Sequence, residues 1–308
     1  MTDLKLLGPL EGLKELDVCD LDRYKRAVAD GEQVGFAYYF PAMLAHNRSG
    51  RRAALVTEDE GSICVFRWTA SDGNEPRLDV LLAPSPMSPS VLQRCIERAN
   101  EYNGDRSARV LKVDAKDADV VAALPGMSMR ERRSQYLYAP DAFADISGRK
   151  FRTMRRNMSK VVSLGNVEVL PYAEEHTEPC LQLLKKWRKH HRDTHGTMGG
   201  VGTTRRIINL AGKFRSPDIH GEVITIDNTL VGFAFGGEIR PGVGAFLEAK
   251  CDFNIQGLSY FQRFSFMSKL NHFELVNDGS DVGREGLRQL KNSLRPVDMH
   301  TEYRAWQE

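Results

Sequence analysis

The stretch Glu222-Val-Ile-Thr-Ile-Asp-Asn-Thr-Leu-Val-Gly-Phe-Ala-Phe235 reads as a β-hairpin. Two runs rich in β-branched and aromatic residues flank Asp227-Asn228, residue types that tolerate the positive φ of a two-residue hairpin turn. Working outward, Gly244–Lys250 is predicted as a strand and Leu258–Leu270 as an apolar-rich helix. Phe273–Asn277 follows as a strand, Arg284–Leu294 as a helix and Asp298–Trp306 as a final strand.

The same order is already present in the first half. Ala53–Thr57 and Ser62–Phe66 form a hairpin across the acidic turn Glu58–Gly61, and Arg77–Leu82 is a strand. A helix from Ser88 to Asn103 gathers Val91, Leu92, Cys95, Ile96 and Ala99 on one face. Ala108–Val113 is then a strand, Asp117–Leu124 a short helix and Gln135–Tyr138 a strand. Matching elements lie about 165 to 170 residues apart, the mark of an internal repeat. Hairpin, strand, helix, strand, helix, strand is the order of the N-acetyltransferase-type fold. The predicted fold class is therefore α/β: a tandem duplicated N-acetyltransferase-type (GNAT-like) fold, each half a mixed central sheet flanked by helices. Two unrelated α/β domains would share that element order and are the alternative. The expected domains are 1–140, a basic linker helix at 141–165, and 166–308, which carries the active cleft.

A chain of 308 residues, 41% apolar and 27% charged, suits two globular domains. A net charge of +2 excludes attraction of a polyanion by overall charge and assigns any electrostatic partner to a local patch. Cys19, Cys64, Cys95, Cys180 and Cys251 are scattered, odd in number and without a CxxC pair, as expected of reduced thiols in a cytoplasmic protein. The N-terminus is broken by charges and Gly8-Pro9, unlike a signal peptide, and no run nears the ~20 apolar residues that span a bilayer. Peripheral contact with a membrane surface stays open.

Between the halves, Gly148–Lys160 carries six basic residues and no acidic one. Phe151, Met154, Met158 and Val161 recur at helical spacing on one side, while Arg152, Arg155, Arg156 and Lys160 gather on another. Ser147 is the expected cap and Gly165 the expected stop. The run is either a solvated face or a phosphate site, for guanidinium groups bind phosphates with paired hydrogen bonds. A second basic stretch, Lys185–Arg192, reads as part of a helix that would widen the surface if the two are neighbours.

Two motifs resemble a known family. One is Gly148-x-Lys150-Phe151-x-x-x-Arg155; the other runs Asn277, Asp281, Gly283, Gly286, Leu287, Arg288, Lys291, Pro296. Together they resemble the soluble bacterial relatives of the C-terminal catalytic domain of phosphatidylglycerol lysyltransferase, from about Tyr136 onward. The resemblance implies a tandem acetyltransferase-type fold and transfer of an amino acid from aminoacyl-tRNA to a lipid or small-molecule acceptor, with aminoacyl-tRNA as co-substrate and no bound cofactor. The lipid-modifying enzymes carry a membrane-spanning half that this sequence lacks.

Coenzyme A thioester is the alternative donor. Acetyltransferases of this fold bind its pyrophosphate on backbone amides of a glycine-rich turn that opens a helix. Here the corresponding turn, Asn254-Ile-Gln-Gly-Leu-Ser259, has one glycine, and the first-half counterpart Pro84–Ser90 is interrupted by prolines, which lack the amide. This favours aminoacyl-tRNA. Lys150, Arg152, Arg155, Arg156, Lys160, Gln256 and Gly257 are the donor-binding candidates.

Acyl transfer from an ester needs a base for the nucleophile's proton and alignment of two substrates. No Gly-x-Ser-x-Gly elbow or partnered cysteine suggests a covalent intermediate, so direct attack in a ternary complex is expected. Acidic residues at strand ends of the second half, Glu248, Asp252 and Asp281, with Asp278 beside them, are the candidate bases. For Asp281 a helix N-cap is an equal reading. Glu248 lies in an apolar strand and requires either a cleft or a cationic partner. Arg284, Arg288 and Asn277 are candidates for holding the acceptor, against a solvated helix face for the arginines. His190, His191, Asp193 and His195 invite a metal reading, but no further ligand shares their spacing. The Gly-rich run Thr197–Thr203 is expected to be a mobile lid. A non-catalytic RNA- or ligand-binding module is the reading from a different class.

Overall fold

The computed structural model describes residues 10–195, 200–214 and 218–308. The chain forms two compact units: the described residues up to Gln135 together with His300–Glu308, and Tyr136–Met299.

The first unit contains β1 (Lys14–Glu15), α1 (Leu21–Asp30), α2 (Phe40–Ala45), β2 (Arg52–Asp59), β3 (Ser62–Ser71), β4 (Asn74–Ser85), α3 (Pro89–Asn103), β5 (Arg109–Asp114), α4 (Ala118–Ala122) and the start of β6 (Met127–Tyr138). The hairpins β2–β3 and β3–β4 are antiparallel, whereas β4 and β5 are parallel, as a strand–helix–strand connection through α3 requires. Val91, Leu92, Cys95, Ile96 and Ala99 of α3 pack on Leu55, Phe66, Leu78, Val80 and Val110, which form the core.

The second unit contains α5 (Arg152–Val162), β7 (Val167–Pro171), α6 (Thr177–His195), α7 (Val201–Ala211), β8 (His220–Ile226), β9 (Thr229–Arg240), β10 (Val243–Cys251), α8 (Leu258–Lys269), β11 (Leu275–Asn277) and α9 (Glu285–Ser293). The opening hairpin is β8–β9, and both Asp227 and Asn228 take positive φ, 48° and 63°. Here too the strands flanking a helix, β10 and β11, are parallel and the other described pairings are antiparallel. Phe151 and Met154 of the α5 segment join Phe246, Phe266, Met267, Phe273 and Val276 in one core.

The final strand, β12 (Asp298–Gln307), pairs antiparallel with β5 through Glu302–Asp114 and Tyr303–Val113, and so completes the first unit. The last residues of β6 pair with β11 through Tyr138–Val276 and belong to the second.

Several local expectations differ. Ser147 does not cap α5: a short 3-10 turn, Arg149–Phe151, precedes the helix, and the Ser147 amide instead donates to Asp145. The helix stops at Ser163, before Gly165. Of the Gly-rich run read as a lid, residues 196–199 lie outside the described residues and Val201–Thr203 open α7.

Candidate functional site

Three groups of side chains in the second unit bear on function, each placed by β10, α8 or the segment after β11.

Glu248 lies where the register of β10 against β9 shifts between Phe246 and Glu248, a bulge that re-aims a side chain. Its carboxylate accepts from Thr204 Oγ1 of α7 at 2.8 Å and from Lys250 Nζ. Lys250 also sits 4.6 Å from the Trp187 ring centroid on α6, a cation–π contact. The cationic partner required of Glu248 is therefore Lys250, two residues along the strand on the same face.

Asp252 follows β10 and receives Lys186 Nζ of α6 at 2.5 Å. Burial alone would raise this carboxyl, but Lys186 and the Asn254 amide hold it below the usual carboxylate value. At the other end of the same turn, Gln256 accepts from Lys160 Nζ of α5 at 2.9 Å. Gly257 takes φ +90°, and a Cβ there would lie 2.4 Å from the carbonyl oxygen of Asn157, so only glycine lets α5 approach the start of α8. The turn 252–257 is thus held at one end by Lys186 of α6 and at the other by Lys160 of α5, while α5 packs on α8 and α6 on α7, β9 and β10.

On α5, Arg155 turns inward and donates to the carbonyls of Ile146 and of Gly148, the latter at 2.7 Å. That removes it from the exposed set. Lys150, Arg152 and Arg156 are exposed, as are Lys185, Arg188 and Lys189 on α6, and none of the six makes an ion pair among the described residues.

After β11, Asp278 is buried and pairs with Arg263 of α8 and with Lys291 of α9, the latter at 3.4 Å. Lys291 also donates to the carbonyls of Asp278, of Gly279 at 3.1 Å and of Ser280 at 3.2 Å. Burial pushes its ammonium down to about 8, against the pull of Asp278. Asp281 is not an N-cap: α9 is preceded by Arg284 without a side-chain cap. Its oxygens accept from Gly283 N at 2.8 Å, Arg288 Nε at 2.7 Å and Tyr136 Oη at 3.2 Å. Burial opposes ionisation, but these donors hold the carboxyl below its usual value. Arg288 is accordingly committed to Asp281 and Glu285, while Arg284 is exposed and makes no ion pair among the described residues. Asn277 is buried and accepts from Gly279 N at 2.8 Å.

The histidines of α6 serve as rings. His190 stacks on Phe253 with centroids 3.5 Å apart, and His191 lies 4.0 Å from Trp187; the His195 side chain lies outside those described. Sequence reasoning passed over Thr204, Lys250, Trp187, Arg263 and Lys291 as chemistry. The Glu248-x-Lys250 spacing was the available signal for the first pairing; nothing local tied Thr204 or Trp187 to it.

A duplicated scaffold in which parallel strands flank a helix in each half is that of the acetyltransferase-type class of acyl- or aminoacyltransferases. The chain belongs to the family described as phosphatidylglycerol lysyltransferase, C-terminal, which matches residues 80–306. No curated protein matches it. Among solved structures, a conserved protein of unknown function from Bacteroides thetaiotaomicron VPI-5482 superposes with a TM-score of 0.82 at 21% identity, covering 96% of this chain and 99% of that one. L-PGS from Bacillus licheniformis gives 0.66 at 15%, covering 96% and 93%. A tandem GNAT protein from the clavulanic acid biosynthesis pathway gives 0.51 at 12%, covering 96% and 98%. These likenesses establish the tandem GNAT-like fold. No helix among the described residues is long and apolar enough to cross a membrane.

Proposed function

We propose that this protein transfers an aminoacyl group from aminoacyl-tRNA to the amine or hydroxyl of a small-molecule acceptor, with the chemistry in the second unit. The observation that carries the reading is that α5 and α6 each anchor one end of the turn 252–257, through Lys160 and Lys186, and that both helices expose further cations that make no ion pair among the described residues. Such a surface suits the phosphates of an RNA acceptor end. Coenzyme A fits the same turn less well. Three amides of the turn, those of Asn254, Ile255 and Leu258, are already bonded, to Asp252 Oδ1, Asp252 O and Ile255 O, which leaves fewer for a pyrophosphate.

In this reading the acceptor attacks the ester carbonyl directly. Glu248 takes the nucleophile's proton, Lys250 beside it supplies positive charge to the developing oxyanion, and collapse of the tetrahedral centre breaks the ester bond so that the ribose oxygen leaves with the proton returned by Glu248. Thr204 fixes the carboxylate. Asp252 and Asp281 are read as holding neighbouring elements, Asp252 tying α6 through Lys186 and Asp281 tying α9 through Arg288.

Incubation with a pool of charged tRNAs and a small-molecule extract, followed by mass spectrometry, tests the proposal. New products heavier by an aminoacyl residue, lost with Glu248→Gln, are expected. Tight binding of acetyl-coenzyme A with acyl transfer that ignores charged tRNA would overturn it.

A further inference from the structure

We infer that Phe253 is a stacking platform for an unpaired nucleobase at the end of the donor RNA; this rests on the donor proposed above. Among the exposed large apolar residues described, Phe253 is the one aromatic, with 37% of its surface accessible. The others are aliphatic: Val120, Val162, Leu164, Leu170, Val282, Val297 and Met299.

Its surroundings specify the partner. Phe253 projects from the turn that both basic helices grip, one residue beyond Asp252. His190 is stacked on the ring nearly parallel, 11° between planes, which fixes its orientation. Lys186 Nζ lies 5.9 Å from the ring centroid, and its charge is shared with Asp252. Lys185, Arg188 and Lys189 are exposed on the same helix. A flat, oriented π-surface beside a helix that exposes several cations is the combination by which proteins hold single-stranded nucleic acid: the cations follow the phosphates and the ring takes a base irrespective of its identity. An unpaired end can swing a single base onto the ring without breaking a pair, whereas a blunt terminus holds its bases fixed in the stem, so the platform favours an unpaired end.

A purine next to phosphates is also present in coenzyme A, and the test separates the two sources. The full-length protein is titrated into a hairpin RNA with a single-stranded 3′ end carrying 2-aminopurine at its last base, and into a blunt hairpin of the same stem. Stacking quenches 2-aminopurine fluorescence. Quenching by the wild type is expected, with Phe253→Ala losing it and binding the overhang RNA about ten-fold more weakly. Phe253→Trp should restore both, and the blunt hairpin should bind the wild type and Phe253→Ala alike. Equal quenching by wild type and Phe253→Ala would overturn the platform. Overhang binding that drops with Phe253→Ala without any quench in the wild type would do the same. Displacement of the quench by stoichiometric coenzyme A would assign the ring to that purine instead. If neither RNA binds, the donor proposal itself fails, an outcome distinct from RNA binding without a quench.

Discussion

Lys186 Nζ lies 2.5 Å from Asp252 Oδ2, so the basic face of α6 is fastened to the residue where β10 gives way to the turn before α8. The pairing positions a cationic helix beside the strand that carries Glu248. Because the Asp252 carboxyl is held low in the folded protein, its contribution to stability is present above the unfolded value of about 3.9 and is lost as pH falls through the folded value. Lys186→Ala should move the Asp252 titration upward, read by carboxyl carbon NMR. The stability gap between wild type and variant should close in acid below about pH 4.

Arg152 and Arg156, rather than Arg155, are the pair to remove from α5. Changing both to alanine should weaken RNA binding and lower the slope of log affinity against log salt by about one per lost phosphate contact, with thermal stability unchanged. Arg155→Ala should act in the opposite sense. Its hydrogen bonds to Ile146 and Gly148 close the segment leading into α5, so melting should fall by about 2–4 °C for roughly 1 kcal/mol, with the salt slope retained.

Glu248→Gln should reduce kcat by about 10² to 10⁴ while the KM for charged tRNA changes little, as for a lost proton acceptor. Lys250→Met should lower kcat as well and remove the cation–π contact with Trp187, visible as a change in tryptophan fluorescence. Equal losses in KM and kcat for Glu248→Gln would point to binding rather than proton transfer.

Lys291 should give the clearest pH signature. Its folded value, about 8, lies below the unfolded value of about 10.4, so between the two the unfolded chain binds more protons and stability rises with pH. Chemical denaturation of wild type against Lys291→Met across pH 7–10 should show the rise in the wild type alone. The variant should also be less stable by about 3–5 kcal/mol, since Asp278 keeps only Arg263 and the carbonyls of Asp278, Gly279 and Ser280 lose their common donor.

Gly257→Ala should destabilise by about 1–3 kcal/mol, from the left-handed backbone together with the collision with Asn157 O. Because that collision separates α5 from α8, RNA affinity should fall with it, measurable by the same hairpin titration.

The strand–helix order was readable because both hairpins are runs rich in β-branched and aromatic residues around turn residues that permit positive φ, and because the repeat doubles every signal. The segment Leu10–Ala45, with β1, α1 and α2, carried no such doubling and was passed over. α7 was missed for a related reason: Gly200 and Gly202 read as loop, although Thr204, Ile207 and Ile208 bury one face of a helix. The charge of the basic helix was legible, but the division of labour within it was not. Only the path of the chain before α5 shows that Arg155 serves the backbone while Arg152 and Arg156 face out. Lys291 stood in the motif that carried the resemblance, and its role as a donor to consecutive carbonyls depends on the turn after β11, which periodicity does not describe.

The pairing of β12 with β5 has a consequence during synthesis. Ribosomes make β5 long before β12, so until residues 298–307 emerge the first half carries an open strand edge of the kind that recruits other chains or chaperones. Maturation of the amino-terminal half is thereby timed by translation of the far end of the message.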